Sequence, residues 1–318
     1  MANPTRVVMD CDTGVDDAMA ILFGLLSPAI DIVGISTVWG NTGVEKTTEN
    51  TLRLLEIVNQ PNVPVARGAA KPLLGAIPTS GGGGSVHGSD GQGNTNLPPP
   101  SLKETGENGA DQIIRLAREN PGELILVPTG PMTNVGIALA KDPAIAKLYR
   151  ACVLMGGAVQ TPGNVSGVAE ANIWHDPEAA QMIFDAPWPI TVVGLDVTHQ
   201  VRLTEPLRQK LNESGTPAGK HLYRIVDHYF AAYARRWGKR ESAMHDALAL
   251  GIAADPSLML NPPKGRVDVE LTGTHTRGMT VADLRPGQPA DRANATVPLQ
   301  VDAQRFLDWF MDVLGKSH

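Results

Sequence analysis

Cysteine, net basic charge and long apolar runs are all scarce in this sequence, and each scarcity removes a class of protein. With two cysteines in 318 residues, Cys11 and Cys152, no disulfide framework can form. Both lie in or beside expected core strands, which suits reduced, buried thiols. Lysine and arginine number 27 against 33 aspartates and glutamates, a formal net charge of -6, so there is no basic footprint for a nucleic-acid polymer. No stretch approaches the ~20 apolar residues of a membrane span, and the opening MANPTRVVMD lacks a charged region followed by a long apolar one. The reading is a cytoplasmic protein that meets neither membrane nor nucleic acid and acts on small molecules. The residues that are present, 42% hydrophobic and 19% charged, have the balance of a soluble globular chain, long enough for one large α/β domain or two ordinary ones.

Apolar runs of strand length alternate with segments of helical period, the pattern of βα units on a parallel sheet. Strands are expected at residues 6–9, 32–38, 124–127, 151–155 and 190–193, and helices at 16–26, 47–58, 110–119, 134–141 and 177–184. The fold class that follows is α/β: Rossmann-like, doubly wound, a mostly parallel sheet with helices on both faces. Long helical patterns run from residue 206 to 240 and from 243 to 254, and short β-like runs at 266–271 and 279–284 are spaced as a hairpin. No linker divides the chain, so residues 1–318 are expected to form a single domain. The stretch PTSGGGGSVHGSDGQGNTNLPPP, residues 78–100, is too rich in Gly, Ser and Pro for a regular element and is expected to be a mobile flap over an active site.

The densest chemistry follows the first apolar run. In Asp10-Cys11-Asp12-Thr13-Gly14-Val15-Asp16-Asp17, four carboxylates fall at the end of a strand, where open α/β sheets bind ligands. Two like charges about 4 Å apart cost roughly 4 kcal/mol at an effective dielectric of about 20, so converging acids need protonation, dispersal or a cation. A motif of carboxylates alone points to a hard ion, Ca²⁺ or Mg²⁺. The plainer alternative makes Asp12 an N-cap and lets Asp16 and Asp17 complement a helix dipole; it leaves Asp10 unexplained. Two later constellations are weaker in isolation. Asn164, Glu170 and Asn172 offer amide and carboxylate groups suited to a polyhydroxylated ligand, and His245-Asp246 opens a further helical stretch.

Together these stretches resemble the inosine-uridine-preferring nucleoside hydrolase family, the calcium-dependent nucleoside N-ribohydrolases. Its DxDxGxDDAxA pattern is met by Asp10, Asp12, Gly14, Asp16, Asp17, Ala18 and Ala20. Gly40-Asn41, the run from Pro128 to Asn134, Met155-Gly156-Gly157, the run from Ala169 to Asn172 and His245-Asp246 follow in family order. The resemblance implies cleavage of ribonucleosides to base and ribose, a part in purine or pyrimidine salvage, and a homodimer or homotetramer. It implies a Ca²⁺ ion held by Asp12, Asp17, the Thr129 carbonyl and Asp246, with Asp12 also the base that takes a proton from the ion's water, and Asp10 an orienting group behind the ligands. Asp16, Asn41 and Asn172 would hold the 2′ and 3′ hydroxyls, while Met155, Asn164 and Glu170 would face the 5′ end. His245 would be the acid that assists the departing base, anchored by Asp246. His87 of the flap and Tyr229 and Tyr233, on one helical face with Trp237, would contact that base.

The chemistry explains the residue types. Breaking an N-glycosidic bond builds oxocarbenium character on the ribose, so a negatively lined pocket favours the transition state over the neutral substrate. The chain departs from the family pattern at Ala171, at Ala247 and in the flap after His87-Gly88, which bears on substrate range. Two rival readings exist. Asp10-Cys11-Asp12-Thr13 also fits a haloacid-dehalogenase-like, Mg²⁺-dependent phosphatase with Asp10 as phosphate acceptor, which leaves the groups at 170–172 and 245–246 without a role. The third is a calcium-dependent nucleoside-binding protein without catalysis.

Overall fold

In the computed structural model, which describes residues 3–75 and 86–316, the first apolar run forms β1 (Thr5–Cys11). Its side chains alternate between two cores, Val7, Met9 and Cys11 on one face and Val8 on the other. A strand covered on both faces has no polar side, which is why the run is unbroken. The chain continues through α1 (Val15–Leu26), β2 (Ile30–Thr37), α2 (Val44–Ile57), β3 (Val65–Arg67), β4 (Thr105–Asn108), α3 (Gly109–Glu119), β5 (Ile125–Pro128) and α4 (Thr133–Lys141). Next come α5 (Ile145–Leu148), β6 (Ala151–Met155), α6 (Ala171–His175), α7 (Pro177–Asp185), β7 (Ile190–Val193), α8 (Leu195–Thr198), β8 (Arg202–Thr204) and α9 (Glu205–Glu213). The remainder is α10 (Pro217–Trp237), β9 (Glu241–Ala243), α11 (His245–Ala254), β10 (Lys264–Val269), β11 (Thr280–Asp283), β12 (Ala295–Thr296) and α12 (Ala303–Leu314).

Ten strands form one sheet in the order β11-β10-β12-β7-β6-β5-β1-β2-β3-β4, and every neighbouring pair from β12 to β4 is parallel. The chain winds outward from β1 through β2, β3 and β4, then returns to the other side of β1 with β5. The strand order therefore reverses between β1 and β5, and the crevice beyond their carboxyl ends is where such sheets bind ligands. Residues of α1, α10, α11 and α12 cover one face, and α3, α4 and α7 cover the other. The expected hairpin is present as the antiparallel pair β10 and β11, joined to the sheet through β12.

Helix α11 lies close on α1 because Gly24 leaves room for it. A Cβ there would stand 2.7 Å from Ile32 Cδ1 and 2.8 Å from Leu250 Cδ2. That contact brings the start of α11 to the start of α1. The plainer alternative, with Asp12 as the N-cap of α1, does not hold, since the N-cap is Gly14 and Asp12 lies before it. Asp17 does assist the cap, its Oδ2 accepting the Gly14 N–H at 2.9 Å. Of the segment expected as a flap, residues 78–85 lie outside the described residues; the rest is docked. Gln92, buried, donates to the Gly14 carbonyl at 2.9 Å and meets His221 Nε2 at 3.0 Å, while Asp90 accepts the N–H groups of Gln92, Asn94 and Asn96. Among the described residues no helix is long and apolar enough to cross a membrane.

Candidate active site

A cleft of about 290 Å³ opens at the reversal of strand order. At one end Asp16, Asp17 and Asp246 bring one carboxylate oxygen each to within 4.8 Å of one another, all three buried. Asp16 and Asp17 come from the first turn of α1 and Asp246 from the first turn of α11, so the packing of those helices assembles the trio. Burial, with Asp16 beside it, pushes Asp17 up to about 7. Burial and then Asp16, Asp17 and Asp12 hold Asp246 well above the usual carboxylate range. Buried like charges at this spacing call for a cation, and an all-oxygen donor set suits a hard one.

Asp12, expected among the ligands, stands at the edge of this group. Its Oδ2 accepts the Asn41 backbone N–H at 2.7 Å and its Oδ1 the Asn41 side-chain amide at 3.1 Å. Gly40 makes this possible, because a Cβ there would run into the Asp12 carboxylate. Burial, then Asp17 and Asp16, raises Asp12 well above the usual range. Asp10 sits behind the cleft and takes no part in its wall. Its Oδ1 accepts from Asn134 Nδ2 at 2.7 Å, while its Oδ2 has no partner among the described residues. With its carboxylate held by Asn134, Asp10 is not placed as the phosphate acceptor that the phosphatase reading requires.

Along the wall, Asn172 Nδ2 donates to the Thr129 carbonyl at 2.8 Å and to that of Met155 at 3.2 Å, fixing the ends of β5 and β6 relative to α6. The Thr129 hydroxyl donates to Asp17 Oδ1 at 2.9 Å. Glu170 is the N-cap of α6 and accepts the N–H groups of Gly157, Asn172 and Ile173 at 2.9, 2.9 and 3.2 Å. Burial nonetheless raises it above the ordinary value. Asn164 Oδ1 accepts the Ala171 N–H at 2.9 Å, which closes the loop over this end.

The other end is aromatic, with Arg236 also in its lining. His245 Nδ1 meets Thr198 Oγ1 at 2.8 Å and His245 Nε2 meets the Tyr233 hydroxyl at 2.6 Å. These partners, and not Asp246, orient the ring, which corrects the expected anchor. Burial pushes His245 down to about 3, so the imidazole is neutral. Tyr233 lies 3.5 Å from the Tyr229 hydroxyl, and Tyr229 donates to Asp16 Oδ2 at 3.1 Å, so one chain of hydrogen bonds joins Thr198 to the acidic end. His87 is buried against the Tyr229 ring, centroids 5.0 Å apart, with its Nδ1 accepting the Val15 N–H at 3.1 Å. Its remaining nitrogen carries the proton. Sequence reasoning gave no role to Thr198, nor to His175 and Arg236, which line the cleft; His175 stands just after the Asn164 to Asn172 group, and neither Thr198 nor Arg236 has a local signal.

The sequence and the fold recur in proteins named as nucleoside hydrolases. The inosine-uridine preferring nucleoside hydrolase family matches residues 7–308. The inosine-uridine preferring nucleoside hydrolase of Crithidia fasciculata is 37% identical over 315 residues, 98% of each chain. A plant nucleoside hydrolase superposes with a TM-score of 0.93 at 35% identity, covering 99% of this chain and 100% of that one. A purine-preferring ribonucleoside hydrolase from Gardnerella vaginalis gives a TM-score of 0.91 at 35% identity over 98% of each chain. The chain is a member of the inosine-uridine preferring nucleoside hydrolase family, hydrolases that act on N-glycosyl compounds.

Proposed function

We propose that residues 1–318 act as one catalytic domain that hydrolyses ribonucleosides to free base and ribose with the help of calcium. The observation that carries this reading is the meeting of Asp16 and Asp17 with Asp246, from the far end of the sequence, in a cleft that also holds a hydrogen-bonded aromatic wall. Asp17, Asp246, Asp12 and the Thr129 carbonyl would hold the ion, with Asp16 beside them. When bound, calcium neutralises the clustered charge and makes water a better nucleophile.

Asp12, held in one orientation by both nitrogens of Asn41, accepts the proton of the attacking water as its oxygen bonds to the anomeric carbon. The bond from that carbon to the base breaks, and the acids around it stabilise the developing oxocarbenium ion. Asp16, Asn41 and Asn172 fix the sugar hydroxyls; Met155, Asn164 and Glu170 close its 5′ end. The base leaves toward His87, Tyr229, Tyr233 and His245. The Tyr233 hydroxyl, held by His245 Nε2, donates a proton to it, and the proton that Asp12 takes from the attacking water returns to the phenol oxygen through solvent. The relatives differ in name between inosine-uridine and purine preference, so both purine and pyrimidine nucleosides are candidate substrates.

A panel of natural nucleosides with calcium tests the reading by release of reducing sugar. Ribose should appear with at least one purine or pyrimidine nucleoside. Asp12→Asn should lose at least about 1,000-fold in turnover while still binding nucleoside. Saturable binding by the wild type with no sugar released would favour a binding protein and overturn the proposal.

A further inference from the structure

The cleft contains a polar residue that the catalytic scheme leaves without a task. His175, the last residue of α6, lines the cleft and is buried, yet its Nδ1 has no hydrogen-bond partner among the described residues. Its ring is clamped between Trp39, 5.2 Å away at 70°, and Trp174, 5.6 Å away at 60°. Trp39 is itself fixed, its indole N–H donating to Thr133 Oγ1 at 3.1 Å. The imidazole is therefore rigid. Burial pushes it down to about 4, so it is neutral near pH 7 and carries one N–H.

The position of that proton follows from the surroundings. A proton on Nδ1 would bury a donor with no acceptor, a rarer and costlier state than a buried lone pair. The favoured tautomer puts the proton on Nε2, the edge that His175 can offer to the cleft. His175 stands three residues after Asn172, on the same face of α6. The other amides on this side are already engaged, Asn41 with Asp12 and Asp17, and Asn172 with the carbonyls of Thr129 and Met155. Acceptors abound here, whereas a hydroxyl bound by carboxylates still has lone pairs to satisfy.

The geometry points to His175 as a specificity-determining residue that donates a hydrogen bond to a hydroxyl of the substrate's sugar, one turn of α6 beyond Asn172 in the lining of the cleft. This rests on the nucleosidase reading and adds to it a contact that the family motifs do not contain. A residue of this kind discriminates sharply, because a sugar lacking the hydroxyl leaves the buried N–H unpaired.

The test compares wild type with His175→Phe, which keeps an aromatic ring against the Trp39 face or edge, and His175→Gln, which keeps an N–H donor. With a ribonucleoside that the wild type cleaves, His175→Phe should lower kcat/KM about tenfold and His175→Gln by less than about threefold. With 2′-, 3′- and 5′-deoxynucleosides, the His175→Phe penalty should vanish for one of the three and persist for the others. An equal penalty on all substrates would make His175 a packing residue only and overturn the inference, as would no penalty at all. Calorimetric binding of free D-ribose in calcium reads the same contact without turnover. His175→Phe should weaken it about tenfold, and unchanged affinity would overturn the inference even if no nucleoside is cleaved. Should the Phe variant fail to fold, nitrogen NMR of the wild-type histidines decides, with a ring-nitrogen shift on adding ribose expected and none counting against the contact.

Discussion

The two ends of the cleft are buried to the same degree and solve burial in opposite ways. At the acidic end Asp12, Asp17 and Asp246 are all driven toward the neutral form, and they crowd one another without a basic partner. At the base end His245 is also driven toward its neutral form, and there the neutral state is complete, both ring nitrogens being occupied by Thr198 and Tyr233. Burial alone is the leading cause at both ends. The difference lies in satisfaction: the base end is finished by the chain itself, whereas the acidic end is left with clustered like charge that a cation would balance. Substitutions at the first end should therefore alter ion affinity, and those at the second should alter leaving-group dependence with the ion still bound.

The largest expected effect is at the acids. Asp17→Asn and Asp246→Asn should each weaken calcium binding at least about 100-fold, measured by calorimetry, with turnover falling in parallel. Asp16→Asn decides whether the third member of the buried trio is a ligand, and a loss comparable to that of Asp17→Asn would place it in the coordination sphere. Calcium affinity unchanged in Asp246→Asn would break the contrast between the two ends.

Next in size is Tyr233→Phe, which removes the hydroxyl between His245 and Tyr229. Turnover of nucleosides whose base leaves poorly should fall about 100-fold, with nitrophenyl riboside nearly unaffected and calcium affinity unchanged. Equal losses on both substrates would mean that the phenol holds the wall together and delivers no proton.

How far the molecule could be read in advance follows the same line between local and assembled features. Strands 151–155 and 190–193 have the expected bounds, because both faces of each are covered and the apolar run ends where the strand does. β4, by contrast, is the polar run Thr105–Asn108 at the edge of the sheet, and β12 is two residues long; neither carries an apolar signal. Four acids within one motif announce a site by their density. Asp246 is legible only through its motif, and its place beside Asp17 comes from the packing of α11 on α1, which Gly24 permits. Thr198 holds His245 from a helix of four residues whose sequence, LDVT, has nothing unusual in it. His175 reads as an ordinary histidine before a helix cap, and only its unpaired nitrogen sets it apart.

The smallest expected effect tests whether the unpaired oxygen of Asp10 belongs to the frustrated end or to the scaffold behind it. Burial pushes Asp10 up from 3.8 to about 7, partly offset by the Asn134 hydrogen bond. Its folded form thus holds a proton that the unfolded chain releases above about pH 4. Stability from this group is fully present below that pH and is lost as pH rises through about 7, the direction set by the folded state binding the extra proton. Asparagine has the shape of the protonated carboxyl and does not titrate, so the stability of Asp10→Asn relative to wild type should rise by roughly 2–3 kcal/mol between pH 5 and pH 8. Urea unfolding at the two pH values, with a chelator present so that no cation contributes, reads the difference directly. A gap that stays constant with pH would mean that Asp10 is ionised in the fold at both values, with its buried oxygen stabilised by something other than a proton.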